Sequence, residues 1–92
     1  EAFVIEPGGV VTLEEVIEVL SWKRLDLHHK PVIFLNINGF WDTLLAAIET
    51  GIEQKMTPET FRKAYSVVNT VEEAIALMQE ADDMPQLQHD LR

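Results

Sequence analysis

Cysteine is absent from the 92-residue chain. No disulfide framework and no thiolate metal site can be built from it. Basic residues are few: 7 Lys and Arg stand against 16 Asp and Glu, a net charge of −9. That balance argues against a nucleic-acid polymer or an anionic membrane as partner, since both repel an acidic surface. A small phosphorylated ligand stays open, because local backbone N–H groups can hold it. Long hydrophobic runs are missing too, and no stretch approaches the ~20 apolar residues of a membrane helix. Glu1-Ala2-Phe3 has neither the basic start nor the apolar stretch of a signal peptide, and a cytoplasmic location is the expectation. No internal repeat or low-complexity segment occurs.

What is present suits one small globular domain, with 47% hydrophobic residues. Glycine is scarce, at 4 residues, and two of them are adjacent. They stand in Glu6-Pro7-Gly8-Gly9-Val10-Val11-Thr12-Leu13-Glu14-Glu15, the stretch around which the chain is organised. The apolar run Ala2-Phe3-Val4-Ile5 reads as a strand leading in, and a helical pattern leads out from Thr12. Strand, glycine turn and helix together make an anion site, because glycines let N–H groups approach a ligand and the helix start carries unpaired donors. The same residues also fit a purely structural reading. Thr12 and Glu15 match a capping box, with Glu14, Glu15 and Glu18 complementing the helix dipole.

From Thr12 to about His28, Leu13, Val16, Ile17, Leu20 and Leu27 share a face. His28-His29 at the helix end suggests no metal site, since adjacent residues on a helix do not face each other. Pro31 stops the helix and opens Val32-Ile33-Phe34-Leu35, a continuous apolar run typical of a central parallel strand. Asp42 is placed to cap a second helix with Leu44, Leu45, Ile48 and Ile52 inward. Phe40 and Trp41 at its entry can stack on a base or pack; packing is the expectation. Thr57-Pro58-Glu59 predicts a short helix with Thr57 as cap. Tyr65-Ser66-Val67-Val68 reads as a third strand. Thr70 and Glu73 form another capping box, before a helix with Val71, Ala74, Ile75 and Met78 inward.

The order predicts an α/β fold with three parallel strands near 2–6, 31–36 and 65–68, and helices near 12–28, 42–55 and 70–81. Helices should cover both faces. Ligands in such sheets sit beyond the carboxyl ends of the strands, where the glycine turn, Asn36 and Asn69 gather.

Pro7-Gly8-Gly9-Val10-Val11-Thr12-Leu13-Glu14-Glu15 resembles the PGGxGTxxE motif of the Lonely Guy family of nucleotide phosphoribohydrolases, many of which carry an older "lysine decarboxylase" label. Leu25-Asp26-Leu27-His28-His29-Lys30-Pro31, Asn36-Ile37-Asn38-Gly39-Phe40-Trp41-Asp42 and Val68-Asn69-Thr70-Val71-Glu72-Glu73-Ala74 extend the resemblance, from about residue 2 to residue 80. Val11 stands where the family has Gly.

The resemblance implies a Rossmann-like nucleotide-binding domain, of which residues 1–82 would be the C-terminal β-α-β-α-β-α half and residues 83–92 a frayed polar tail. A first residue of Glu, already entering a strand, fits a segment of a longer protein. The implied activity is hydrolysis of the N-glycosidic bond of a nucleoside 5′-monophosphate, a cytokinin riboside monophosphate or AMP, without a cofactor or metal. Gly8, Gly9, Val10, Val11 and Thr12 would hold the phosphate, and Glu15, with Glu14 beside it, would serve as the carboxylate. An arginine that the family draws from its preceding half has no counterpart here. The implied partners are that missing half and a second copy in a homodimer. A non-catalytic nucleotide binder is the alternative, because Val11 replaces the motif glycine; an assembly role for the segment is a third. Lysine decarboxylation needs a Schiff-base lysine for pyridoxal phosphate, and Lys23, Lys30, Lys55 and Lys63 all lie away from the glycine turn in sequence.

Overall fold

The computed structural model describes residues 2–24 and 30–82. Three short strands, β1 (Phe3–Ile5), β2 (Val32–Leu35) and β3 (Ser66–Val68), form one parallel sheet in the order β1-β2-β3. The connections are α1 (Val10–Arg24) between β1 and β2, and α2 (Asp42–Glu53) followed by a 3₁₀ segment (Glu59–Ala64) between β2 and β3. Helix α3 (Val71–Asp82) follows β3. This is the expected α/β alternation of Rossmann-like character, with parallel pairing throughout.

β2 is the centre of the molecule. All four of its side chains are buried, as a strand covered on both faces requires. Val32 and Phe34 point into a core with Ile5, Val16, Leu20 and Trp41, backed by Leu44, Leu45, Ile48, Phe61 and Tyr65. Ile33 and Leu35 point the other way, into a core with Val68 and Ala74, backed by Val4, Leu77 and Met78. Thus α1 and α2 cover one face and α3 the other. The Phe34 ring meets Trp41 and Tyr65 edge to face, at centroid distances of 5.6 and 5.4 Å.

Several local expectations shift. Leu13 and Ile17, expected inward, are exposed on α1, and among the described residues of that stripe only Val16 and Leu20 are buried. The apolar stripe is therefore wider than the contact this short sheet makes with it. On α3, Ala74 is buried while Val71 and Ile75 are exposed, for the same reason. Leu27, His28 and His29 lie outside the described residues, as does the 83–92 tail. Asp42 is the first residue of α2 rather than its cap, which is Trp41. Thr57 does not cap the segment after it; Pro58 takes that position and the turn is 3₁₀. The Thr70–Glu73 box forms reciprocally: the Glu73 carboxylate accepts the Thr70 N–H at 3.1 Å, and the Thr70 hydroxyl accepts the Glu73 N–H at 3.1 Å.

Candidate active site at the glycine turn

Ile5 pairs with Phe34 and Leu35 with Val68. The turns after all three strands therefore leave the same carboxyl edge. After β1, Pro7 and Gly8 carry the chain into α1, whose first turn begins at Val10, two residues before the expected start. Leu13 N–H donates to the Gly9 carbonyl at 3.0 Å, so Gly9 is the cap residue. This overturns the Thr12–Glu15 capping box: Thr12 is already the third residue of the helix. Glu14 and Glu15 accordingly fall in the second turn, and the first turn carries no acid. The N–H groups from Gly9 to Thr12 are those a helix start leaves without intrahelical acceptors.

The two glycines differ. A side chain at Gly9 would meet nothing within 4 Å, so its space opens above the donors. At Gly8 a β-carbon would run into the Thr12 side chain, coming within 2.7 Å of Thr12 Cβ. The glycine thus lets the Thr12 hydroxyl fold over the turn. Gly8→Ala is expected to push Thr12 and the helix start aside; for a phosphate seated on this helix start, affinity should fall at least about tenfold, the loss of one charge-assisted hydrogen bond. Titration of the variant with ribose 5-phosphate checks this; an unchanged affinity would show that the Gly8–Thr12 packing is irrelevant to the site.

Val11 is helical, with its side chain 72% exposed, and among the described residues only Asn38 and Lys55 combine a side chain with a positive φ. No left-handed backbone is required where the motif has glycine.

Beside the turn lies an open groove of about 430 Å³, lined by Phe3, Ile5, Glu6, Thr12, Glu15 and Val19 among others. Thr12, Glu15 and Val19 share one helix face at spacings of three and four. Glu15 is therefore on the groove wall, and its carboxylate has no hydrogen-bond partner among the described residues. Glu14 is turned onto another face and does not line the groove. Sequence reasoning missed Glu6, which brings a second carboxylate to the groove; its place directly before the Pro-Gly-Gly turn was the available signal.

Asn36 and Asn69 lie at the carboxyl edge, as expected, and there the Asn36 side chain serves the scaffold. The Asn36 side chain accepts the Trp41 N–H at 2.7 Å and donates to Asp42 Oδ1 at 2.8 Å. Asn69 N–H donates to the Glu73 carboxylate at 2.9 Å. Among the described residues no cluster of three or more potential metal ligands occurs, and no helix is long and apolar enough to cross a membrane.

The lysines sit at the opposite, amino edge of the sheet. Lys23 Nζ donates to the Lys30 carbonyl at 2.7 Å, near the entry to β2. Burial of the Lys23 ammonium holds its pKa below the ordinary lysine value. Lys55 follows α2, and Lys63 lies in the segment before β3. None reaches the glycine turn, so no residue there fits a pyridoxal phosphate Schiff base.

Residues 1–78 match the family described as "Possible lysine decarboxylase". The chain is 36% identical over 80 residues to the probable cytokinin riboside 5'-monophosphate phosphoribohydrolase LOGL5 of Oryza sativa subsp. japonica, covering 87% of this chain and 32% of that protein. It is 36% identical over 80 residues to the cytokinin riboside 5'-monophosphate phosphoribohydrolase LOG3 of Arabidopsis thaliana, covering 87% and 37%. With the probable phosphoribohydrolase LOGL9 of Oryza sativa subsp. japonica it shares 39% over 82 residues, covering 82% and 36%. The chain spans about a third of the length of these curated relatives. With a match over residues 1–78 and the glycine turn at the sheet's carboxyl edge, the chain belongs to the possible lysine decarboxylase family, the family of the Lonely Guy phosphoribohydrolases.

Proposed function

We propose that the protein hydrolyses the N-glycosidic bond of a nucleoside 5′-monophosphate, a cytokinin riboside monophosphate or AMP, to the free base and ribose 5-phosphate. The observation that carries this reading is the juxtaposition, on one groove, of the Pro7–Thr12 helix start with the Glu15 carboxylate, which has no hydrogen-bond partner among the described residues. The printed activity of the relatives supports it.

In this reading the 5′-phosphate takes the N–H groups of Gly9, Val10, Val11 and Thr12 and the Thr12 hydroxyl, aided by the helix dipole. The ribose then lies over the second turn of α1. The C1′–N bond breaks with its electrons going to the base, leaving an oxocarbenium-like centre. The Glu15 carboxylate stabilises that positive charge and orients the water that adds to C1′. The water's proton balances the base nitrogen. Glu14, on another face of the helix, has no direct part in this geometry. No cofactor enters the scheme.

Residues 1–82 are proposed as the C-terminal half of a single domain, with the preceding half docking on the outer edge of β1, which among the described residues has a strand neighbour on one side only. A homodimer is proposed on the exposed Leu13 and Ile17 of α1, apolar positions that a second copy would cover. Location in the cytoplasm rests on the sequence expectation.

Calorimetry on the full-length protein tests the phosphate site. AMP and ribose 5-phosphate are expected to compete for one site, with adenosine binding at least about tenfold more weakly, the scale of charge-assisted hydrogen bonds lost. Adenosine binding as tightly as AMP would overturn the assignment.

A further inference from the structure

The groove beside the glycine turn holds one acid more than the proposed chemistry uses. Glu6 and Pro7 line it where β1 ends, and Thr12 and Glu15 line it from α1. Glu6 and Glu15 are the charged residues of that lining, and no Lys, Arg or His belongs to it. Glu6 is exposed and, like Glu15, has no hydrogen bond or ion pair among the described residues. Its place is set from both sides. Ile5 before it is buried and paired with Phe34. Pro7 after it disfavours a helical backbone at Glu6 and keeps the chain extended to the end of the strand.

The two kinds of polar group in the groove are sorted. Donors gather at the helix start, in the N–H groups of Gly9 to Thr12. Glu6 and Glu15 add acceptors. A carboxylate accepts hydrogen bonds through two oxygens side by side and repels a phosphate. It therefore suits the other end of a sugar phosphate, where hydroxyls donate. The 2′- and 3′-hydroxyls of a ribose are a neighbouring pair of donors, and an acid on the ribose 2′-hydroxyl is a recurrent pairing in nucleotide-binding sheets. Resting on the phosphate-turn reading above, we propose that Glu6 is a specificity-determining residue: it accepts the ribose hydroxyls and selects ribonucleotides over 2′-deoxyribonucleotides. The two acids then divide the sugar between them, Glu6 at the hydroxyls and Glu15 at C1′. A site built to bond a hydroxyl rejects the analogue that lacks it, because the acceptor is left without its donor.

Calorimetry with AMP and 2′-deoxy-AMP on the full-length protein tests this. The parent protein is expected to bind AMP about tenfold or more tighter than 2′-deoxy-AMP, the size of one charge-assisted hydrogen bond. In Glu6→Ala the two ligands should bind within about threefold of each other. Glu6→Gln, which keeps one acceptor oxygen, should give a preference between those two. The ratio is the readout because removing an acid near the phosphate raises the affinity of both ligands together, and that common change cancels. Continued binding of 2′-deoxy-AMP shows that the variant is folded. Equal binding of the two ligands by the parent protein overturns the proposal. So does a preference that survives in Glu6→Ala, whether or not both affinities shift; Glu6 would then be a brace of the turn or a bystander. Both of those outcomes leave the phosphate site standing. If the parent protein binds neither AMP nor ribose 5-phosphate, the phosphate-turn reading fails and takes the role of Glu6 with it.

Discussion

Replacing Glu15 by Gln in the full-length protein is expected to slow base release from a nucleoside 5′-monophosphate by roughly 10²–10³-fold, the scale of losing one group aimed at transition-state charge. Nucleotide affinity should remain within about threefold, because the proposed phosphate donors belong to the backbone before Glu15. The amide keeps the size of the side chain and loses only the charge that, in the proposed mechanism, faces the developing oxocarbenium centre. Capping does not complicate the result, since Gly9 is the cap residue and Glu15 lies in the second helical turn. Glu14→Gln is the internal control. Glu14 does not line the groove, and its rate should change by less than about threefold. Base release, ribose 5-phosphate formation and calorimetric binding measure the three quantities. Full turnover in Glu15→Gln would make that residue a bystander.

The largest effect on stability is expected from Phe34→Ala. Phe34 is fully buried in the central strand and meets Trp41 and Tyr65 edge to face. Truncating a Phe in such a site costs about 3–5 kcal/mol, combining lost transfer energy with an unfilled cavity. That is a large part of the 5–15 kcal/mol that typically holds a domain together. Tyr65 reports on the same contact. Burial and the nearby Glu49 charge raise its pKa, so the folded state holds the phenolic proton more tightly than the unfolded chain does. Its contribution is complete below the unfolded value and fades as pH rises through the folded one. Chemical denaturation of Phe34→Ala at neutral pH checks the main effect. A loss under about 1 kcal/mol would mean that the core collapses around the gap.

Parts of this architecture were legible in the residues because local and global preferences agree there. Val32-Ile33-Phe34-Leu35 is apolar without interruption, and only a strand covered on both faces uses such a run. Thr70 and Glu73 form their box as the spacing suggests, since no neighbouring glycine competes for the cap. At the start of α1 the same four-residue pattern misled: Gly9 takes the cap, and Thr12 is drawn inside the helix against Gly8. Periodicity alone placed Leu13 and Ile17 inward, but it reports which helix face is apolar and not how much of that face a three-stranded sheet covers. Asn36 was placed at the ligand edge because it ends a strand. Its bonds to the backbone of Trp41 and the side chain of Asp42 are tertiary geometry, invisible to spacing. That Trp41 is buried while Phe40 stays half exposed was hidden for the same reason.

The most direct measurement follows both products at once. The full-length protein is incubated with AMP, with an N6-substituted adenosine 5′-monophosphate, and with the corresponding nucleosides, while free base and ribose 5-phosphate are quantified together. If the glycine turn and Glu15 act as proposed, base and ribose 5-phosphate appear in equal amounts from a 5′-monophosphate, and the nucleosides are left intact. Base released equally well from the nucleosides, or no base released from any of the four compounds, would contradict the assignment.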